Sequence, residues 1–191
     1  MGKRVKLPKL AMAYTQLPEP EQHTRDKIEY VIEQTKTRTK FWEASVAAHD
    51  ENPSYAVKRY CEENDLEFPE QDCKDLEDEA VQTIKFWKHK FAKLRPYAAA
   101  TQFGLEIDRL PSSTNKTNSY PSGHSTQGYL AGLYVSSIYP SHSVGIMEAG
   151  LECGIGRIKA GFHYLDDHEA GIKLATQLFK LIKKWENLQI Y

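Results

Sequence analysis

The chain has 191 residues, a formal net charge of −1 at pH 7, and 27% charged against 40% hydrophobic residues. This length suits one domain with a sizeable core, and we expect residues 1–191 to form it. The near-neutral charge provides no overall basic field, so a nucleic-acid polymer is not expected as a partner. No stretch of the sequence reaches the ~20 apolar residues needed to cross a bilayer, so no membrane partner is expected either.

The cysteine usage and the start of the sequence indicate a compartment. The 3 cysteines, Cys61, Cys73 and Cys153, are odd in number and widely separated, which is typical of free thiols in a reducing environment. No apolar segment follows the basic residues 1–6, so the sequence as written contains no secretory signal. The expected location is cytoplasmic, or periplasmic if a leader was removed, and a homo-oligomer is left open.

The first 80 residues are expected to hold an arm and several helices. Residues 1–20 are predicted to be irregular, and residues 21–49 show a helical pattern. Asn52-Pro53 predicts an N-cap with proline at the first position of a short helix. A long helix is then predicted over residues 72–99, because apolar residues recur there in steps of four and three. This stripe consists of Ala80, Ile84, Trp87, Phe91 and Leu94.

The remaining helices form the predicted core, residues 81–187. Ser122 is expected to cap a helix that is apolar nearly all round, which is typical of a central, buried position. Gly128 and Gly132 are four residues apart and would allow a neighbouring helix to approach closely. Further helices are predicted over residues 143–160 and 166–187. No strand-period run competes, so the predicted fold class is an all-α helical bundle.

The loop-to-helix stretch of residues 119–124 could bind an anion. Backbone N–H groups at a helix N-terminus attract phosphate-like anions, and Gly123 lets a ligand approach the backbone. His124 would place a titratable imidazole beside the anion. An ordinary capped helix with a surface histidine is the simpler interpretation of this stretch when it is taken alone.

Two further groups of residues could complete a site. Lys88 and Arg95 are seven residues apart and are predicted to share one face of the long helix. After Arg157, a helix break at Ala160-Gly161 would turn His163 back toward the same pocket. Each of these residues, taken separately, is more typical of a cap, a surface charge or a structural histidine.

The aspartate four residues after His163 could allow this histidine to act as a nucleophile. Asp167 could bond Nδ1 of His163 and hold Nε2 free to attack. By contrast, His49 is expected at the surface, and His168 could line the pocket but is expected simply to lie on a helix face. Glu152 is expected to be solvated or salt-bridged rather than to bind a metal.

Three motifs occur in a fixed order: Lys88-x6-Arg95-Pro96, Pro121-Ser122-Gly123-His124 and Arg157-x5-His163-x3-Asp167. This pattern resembles the type 2 phosphatidic acid phosphatase superfamily, which includes vanadium haloperoxidases, and is most similar to the bacterial class A non-specific acid phosphatases. The resemblance covers about residues 88–175. Three positions depart from it: Gly156 stands where the family usually has serine, and Leu165-Asp166 stands where Pro-Ser is often found.

The resemblance implies a role for each matched residue. The phosphoryl group would be held by Lys88, Arg95, Ser122, Gly123 and Arg157. His163 would attack phosphorus to form a phosphohistidine, with Asp167 orienting it. His124 would protonate the leaving alcohol and then activate water. No metal or other cofactor is expected, because cations facing a dianion supply positioning and charge stabilisation. Vanadate is expected as an inhibitor.

The expected function is a soluble, metal-independent phosphomonoesterase. Because the connection between Tyr97 and Tyr120 is short and polar, small substrates such as nucleotides or sugar phosphates are favoured. Three alternatives are a vanadium-dependent haloperoxidase with vanadate as cofactor, a lipid or diphosphate phosphatase, and a non-catalytic phosphate-binding module. The presence of both His124 and His163 weighs against the last of these.

Overall fold

The computed structural model describes residues 11–188, and side chains through residue 184. Residues 1–10 of the predicted arm and the side chain of Trp185 therefore lie outside the described residues. No strand occurs between residues 11 and 188, which confirms the predicted all-α class. The α-helices are α1 (Arg25–Lys36), α2 (Lys40–His49), α3 (Tyr55–Glu63), α4 (Glu70–Phe91), α5 (Pro96–Ala100), α6 (Gly123–Ile138), α7 (Ser143–Lys159) and α8 (Leu165–Leu188).

Helix α6 is central: it packs against α7 and α8, and α3 and α4 also contact it. The close contact with α7 depends on glycine. A Cβ on Gly132 would lie 3.3 Å from the Cα of Gly150, and a Cβ on Gly128 would lie 2.9 Å from the Cβ of Cys153. The glycine spacing therefore predicted this helix contact correctly. Leu130, Leu174 and Leu178 are among the fully buried side chains of the main core.

The predicted helix over residues 21–49 is in fact two helices. Helix α1 starts at the N-cap Thr24, whose side chain accepts a hydrogen bond from the Lys27 N–H. It ends at Lys36, where the Thr37 hydroxyl bonds back to the Gln34 carbonyl at 2.9 Å. Threonine hydroxyls that bond the local backbone compete with continuation of a helix, and periodicity alone did not reveal this break. Helix α2 begins after Thr39.

The predicted helix over residues 72–99 is also interrupted. Helix α4 ends at Phe91, and Ala92 adopts the left-handed conformation with φ 49°. Arg95 is extended and Pro96 starts α5, because proline disfavours helical geometry in the preceding residue. Lys88 and Arg95 therefore do not share one helix face, and that part of the sequence prediction was wrong.

Smaller differences concern the N-terminal part. Residues Ala11–Tyr14 form a 3₁₀ turn within the predicted irregular arm. Helix α3 starts at Tyr55, so Ser54 and not Asn52 precedes its first residue. At the other end of the chain, α7 ends at Lys159 and Gly161 has φ 79°, as the predicted break at Ala160-Gly161 requires.

Candidate active site

Six of the eight predicted site residues line one cavity of about 500 Å³. They come from α4, the start of α5, the N-terminus of α6, the end of α7 and the turn before α8. The six are Lys88, Arg95, Gly123, His124, Arg157 and His163. The other two predicted residues, Ser122 and Asp167, lie behind this lining.

His163 is held between an acceptor and a donor. Its Nδ1 lies 3.1 Å from Oδ2 of Asp167, and its Nε2 lies 3.0 Å from Nη1 of Arg95. This arrangement favours the tautomer with the proton on Nδ1, because a guanidinium can only donate. Burial, reinforced by the charges of Arg95, Lys88 and Arg157, lowers the pKa of His163 well below its ordinary value. The ring is therefore neutral at pH 7, with the Nε2 lone pair toward Arg95.

Asp167 is fully buried, with both carboxylate oxygens bonded. Oδ2 also accepts from the Tyr164 N–H at 3.0 Å and from the Ser119 hydroxyl, while Oδ1 lies 3.1 Å from the Lys93 ammonium. Its backbone carbonyl accepts the Ser122 N–H at 2.9 Å. Asp167 therefore connects the turn carrying His163 to the start of α6.

Lys93 was not predicted as a site residue. It is 7% exposed, and its Nζ lies 2.7 Å from Oδ2 of Asp166 as well as contacting Asp167. The ammonium also lies 4.4 Å from the centre of the Tyr164 ring. Asp166, one of the positions that depart from the family pattern, is thus held by the same lysine that contacts Asp167.

Backbone carbonyl groups of the loop before α6 accept hydrogen bonds from the side chains of Lys88 and Arg95. Nζ of Lys88 donates to the carbonyls of Asn118 and Ser119 at 2.5 and 3.1 Å, and Nε of Arg95 donates to that of Thr117 at 2.8 Å. Burial lowers the pKa of Lys88 well below its ordinary value and that of Arg95 to about 10. The loop therefore orients these side chains before any ligand binds.

Arg157 is held by residues that the sequence motifs do not include. Its Nη1 lies 2.8 Å from Oδ1 of Asp50, and its Nη2 lies 3.1 and 3.2 Å from the hydroxyls of Ser112 and Thr114. Its guanidinium carbon lies 4.4 Å from the centre of the Phe162 ring. Its buried Nε has no hydrogen-bond partner among the described residues.

Asp50 is the main residue that the sequence prediction missed. Burial alone would raise its pKa, but hydrogen bonds from Ser112, Arg157 and the Ser113 backbone lower the pKa well below the usual value. It directly follows α2, which packs on α7 and so brings the carboxylate to Arg157. No local sequence signal marks this contact.

The ring of His124 contacts the backbone carbonyl of Asp50. Nε2 of His124 lies 3.1 Å from the Asp50 carbonyl oxygen, which can only accept, so this nitrogen carries a proton. Burial, followed by the charge of Arg157, lowers the pKa of His124 to about 3. Nδ1 is therefore the ring nitrogen left to take up and release a proton.

Ser122 caps α6, as predicted, but its side chain does not line the cavity. Its Oγ accepts from the Ser125 N–H and hydroxyl at 3.3 and 2.8 Å, and the side chain is fully buried. Gly123, the next residue, does line the cavity, and a Cβ there would point between Ile84 and Lys88. The structure therefore places Gly123, but not the Ser122 hydroxyl, where a bound anion could be reached.

Two further histidines are buried: His49, which was predicted at the surface, and His168, which was predicted on a helix face. The ring of His49 bonds the Ser45 carbonyl at 2.8 Å and the Ala56 N–H at 3.3 Å, which joins α2 to α3. His168 lies 2.9 Å from the Ser125 hydroxyl, in space left by Gly154. Helical periodicity did not identify either position because the covering residues come from other helices.

The remaining predicted positions have simple structural explanations. Glu152 is salt-bridged, as expected, with Oε2 lying 2.6 Å from Arg59. Gly156, which replaces the usual family serine, faces α2: a Cβ there would lie 3.2 Å from Val46. A larger residue at this position would crowd α2, the helix that leads to Asp50.

The chain belongs to the PAP2 superfamily, whose profile matches residues 80–191. The matched segment contains all three motifs. The non-specific acid phosphatase of Providencia stuartii is 33% identical over 104 residues, which are 53% of this chain and 40% of that protein. The acid phosphatase of Zymomonas mobilis is 33% identical over 90 residues, 47% of this chain and 33% of that protein. The chain thus spans less than half the length of these two curated relatives.

The fold is similar to that of a membrane enzyme. The crystal structure of a transmembrane PAP2-type phosphatidylglycerolphosphate phosphatase from Bacillus subtilis superposes with a TM-score of 0.56 over 86% of this chain and 88% of that one, at 15% identity. Such a low identity supports the shared all-α fold and nothing finer. Between residues 11 and 188, no helix combines the length and apolar character that a membrane span requires.

Proposed function

We propose that this protein is a metal-independent phosphatase that hydrolyses small phosphomonoesters through a phosphohistidine on His163. The observation that carries the proposal is the position of the His163 ring, between Asp167 at 3.1 Å and Arg95 at 3.0 Å, at the wall of a cation-lined cavity. The similarity to two acid phosphatases supports the same reaction class.

The phosphoryl group would be bound by the cations of the cavity. Lys88, Arg95 and Arg157 are oriented before binding, and the Gly123 N–H lies at the N-terminus of α6, where backbone donors favour an anion. The unpartnered Nε of Arg157 is one donor available to a phosphoryl oxygen. Phosphoryl transfer depends mainly on such positioning and charge stabilisation.

In the first step, Nε2 of His163 attacks phosphorus and the bond to the ester oxygen breaks. Asp167 stabilises the positive charge that develops on the ring, through its bond to Nδ1. Protonated His124 gives the Nδ1 proton to the departing alcohol. In the second step, His124 takes a proton from water, which attacks phosphorus and releases the histidine.

His124 must carry a proton for the first step although its pKa is about 3 in the free protein. A bound phosphate dianion offsets the charge of Arg157 and favours the protonated ring, so substrate binding raises this pKa. The dianion thus supplies the charge that lets His124 act as an acid at mildly acidic pH. We expect bell-shaped pH dependence of kcat.

The test is a panel of phosphomonoesters, assayed with a chelator present, followed by trapping of the phosphoenzyme with an alkaline denaturing quench. The wild type should turn over small esters and form an acid-labile phosphoenzyme, and His163→Ala should do neither. His89→Gln, at an exposed position on α4, is the matched control and should behave as the wild type. Dependence on an added divalent metal would contradict the mechanism, and activity confined to a micellar phospholipid would contradict the substrate class. Bromide-dependent peroxidase activity after vanadate loading, with no ester hydrolysis, would favour a haloperoxidase instead.

A further inference from the structure

The cavity extends well beyond the cations, along one face of α4. The residues at intervals of four, three and four on this helix all line it: Glu77, Val81, Ile84 and Lys88. Eleven residues make about three helical turns, so Glu77 and Lys88 share a face and lie about 16 Å apart along the axis. The cavity therefore has the Lys88 amino group at one end of this face, the Glu77 carboxyl group at the other, and apolar side chains between them.

Glu77 is a buried acid without a full set of partners. It is 9% exposed, and its Oε1 has no hydrogen-bond partner among the side chains and backbone that the structure describes. The side chain and backbone of Ser54 act to lower the pKa of this carboxyl, but burial outweighs them and raises the pKa of Glu77 to about 7. A buried acceptor left unbonded is unfavourable, so a ligand donor that reaches Oε1 of Glu77 increases affinity.

The surroundings of Glu77 favour a donor rather than an anion. Two further acidic residues, Asp78 and Glu51, line the same cavity. Among the cationic residues that line it on α4, Lys85 is the nearest in sequence to Glu77. The amide of Gln127, one turn beyond His124 on α6, donates to the Glu77 backbone carbonyl at 3.1 Å. His124 and Gln127 thus share one face of α6, and this face runs from the cationic end of the cavity toward Glu77.

We infer that Glu77 forms a second subsite, which binds a hydroxyl or amino donor at the far end of an extended leaving group. The inference rests on the proposed function, because it assumes that the phosphoryl group occupies the cationic end. The leaving group would then pass Ile84 and Val81, and its distal donor would bond Oε1 of Glu77. The preferred substrates are phosphomonoesters of elongated alcohols with an apolar middle and a polar end.

The experiment compares hexyl phosphate with its terminal hydroxy and amino derivatives, and ethyl phosphate serves as an ester too short to reach Glu77. In the wild type, kcat/KM should be about tenfold higher for the hydroxy and amino esters than for hexyl phosphate. Glu77→Leu should abolish this preference and leave ethyl phosphate nearly unchanged. If Glu77→Leu does not fold, Glu77→Gln decides in assays above pH 7, where the Glu77 carboxyl group is ionised: it should keep the preference for the hydroxy ester and lose the advantage of the amino ester.

Asp78→Asn is the control for negative charge in general, since Asp78 is exposed and lines the same cavity. It should keep most of the wild-type preference. Equal kcat/KM for the three hexyl esters in the wild type, or an unchanged preference in both Glu77 variants, would overturn the subsite while leaving the phosphatase intact. Failure of the wild type to hydrolyse any ester, ethyl phosphate included, would overturn the proposed function and the subsite with it.

Discussion

Asp50 contacts Arg157 with its carboxylate, at 2.8 Å, and His124 with its backbone carbonyl, at 3.1 Å. One residue at the end of α2 therefore touches both a proposed phosphate ligand and the proposed acid. The two partners lie on different helices, α7 and α6.

Replacing Asp50 by asparagine should lower activity without removing the fold. The amide keeps the shape and the backbone carbonyl but removes the charge that opposes Arg157, so the guanidinium is free to shift. A displacement of about 1 Å in such a site can cost roughly a hundredfold in rate, and we expect kcat to fall by ten to a hundredfold on this basis. Steady-state kinetics checks this, with Glu51→Gln as the neighbouring control. Wild-type kcat in Asp50→Asn would contradict a positioning role.

Lys93→Met should impair the proposed nucleophile through Asp167. The ammonium is the cation that contacts both Asp166 and Asp167, and removing one partner of a buried ion pair leaves charge uncompensated. We expect the acid limb of the pH–rate profile to move to higher pH, because Asp167 without Lys93 draws the proton onto His163 more strongly. Lys93→Arg should restore most of the wild-type profile. A uniform loss of activity with no change in the profile would indicate a purely structural role.

His124→Ala should discriminate between leaving groups. A good leaving group such as p-nitrophenolate departs without a proton, whereas an alkoxide needs one. The variant should therefore lose far more activity on ethyl phosphate than on p-nitrophenyl phosphate. The comparison requires kcat/KM for both esters in the wild type and the variant. Equal losses on the two esters would exclude the acid role of His124.

Acid should destabilise the ligand-free protein below about pH 6.5. The pKa values of four histidines are lowered on folding, to about 3 for His124 and about 4 for His168, and in direction for His49 and His163. The unfolded chain then binds more protons than the native one as pH falls through 6.5, so the free energy of unfolding decreases. Glu77, whose pKa is raised from 4.5 to about 7, increases the free energy of unfolding as the pH falls through this range. This single group opposes four histidines, so the net effect of acid is destabilising.

We expect the Tm to drop by at least about 5 °C between pH 7 and pH 5. Added phosphate should reduce the drop, because it favours protonation of His124. Thermal melts across this range measure both effects. The exposed His89→Gln variant should show the wild-type slope, and a Tm that stays constant or rises toward pH 5 would contradict the neutral, buried state of these rings.

The motif residues could be found from the sequence because their identities and order are specific, even where the local geometry was misjudged. Lys88 and Arg95 were predicted to share a helix face, yet they reach one cavity across a helix break at Ala92. The supporting residues could not be found in this way. Asp50 lies 107 residues before Arg157, and only the packing of α2 on α7 brings them together.

Asp167 holds the His163 ring through its carboxylate, and its backbone carbonyl accepts the Ser122 N–H at 2.9 Å. This second bond ties Asp167 to the first turn of α6. The His163 ring, the proposed nucleophile, and the backbone donors at the start of α6 are thus linked through Asp167. A shift of the first turn of α8 would therefore be transmitted through this bond to the first turn of α6, which limits any change in the distance between the proposed nucleophile and the phosphoryl group.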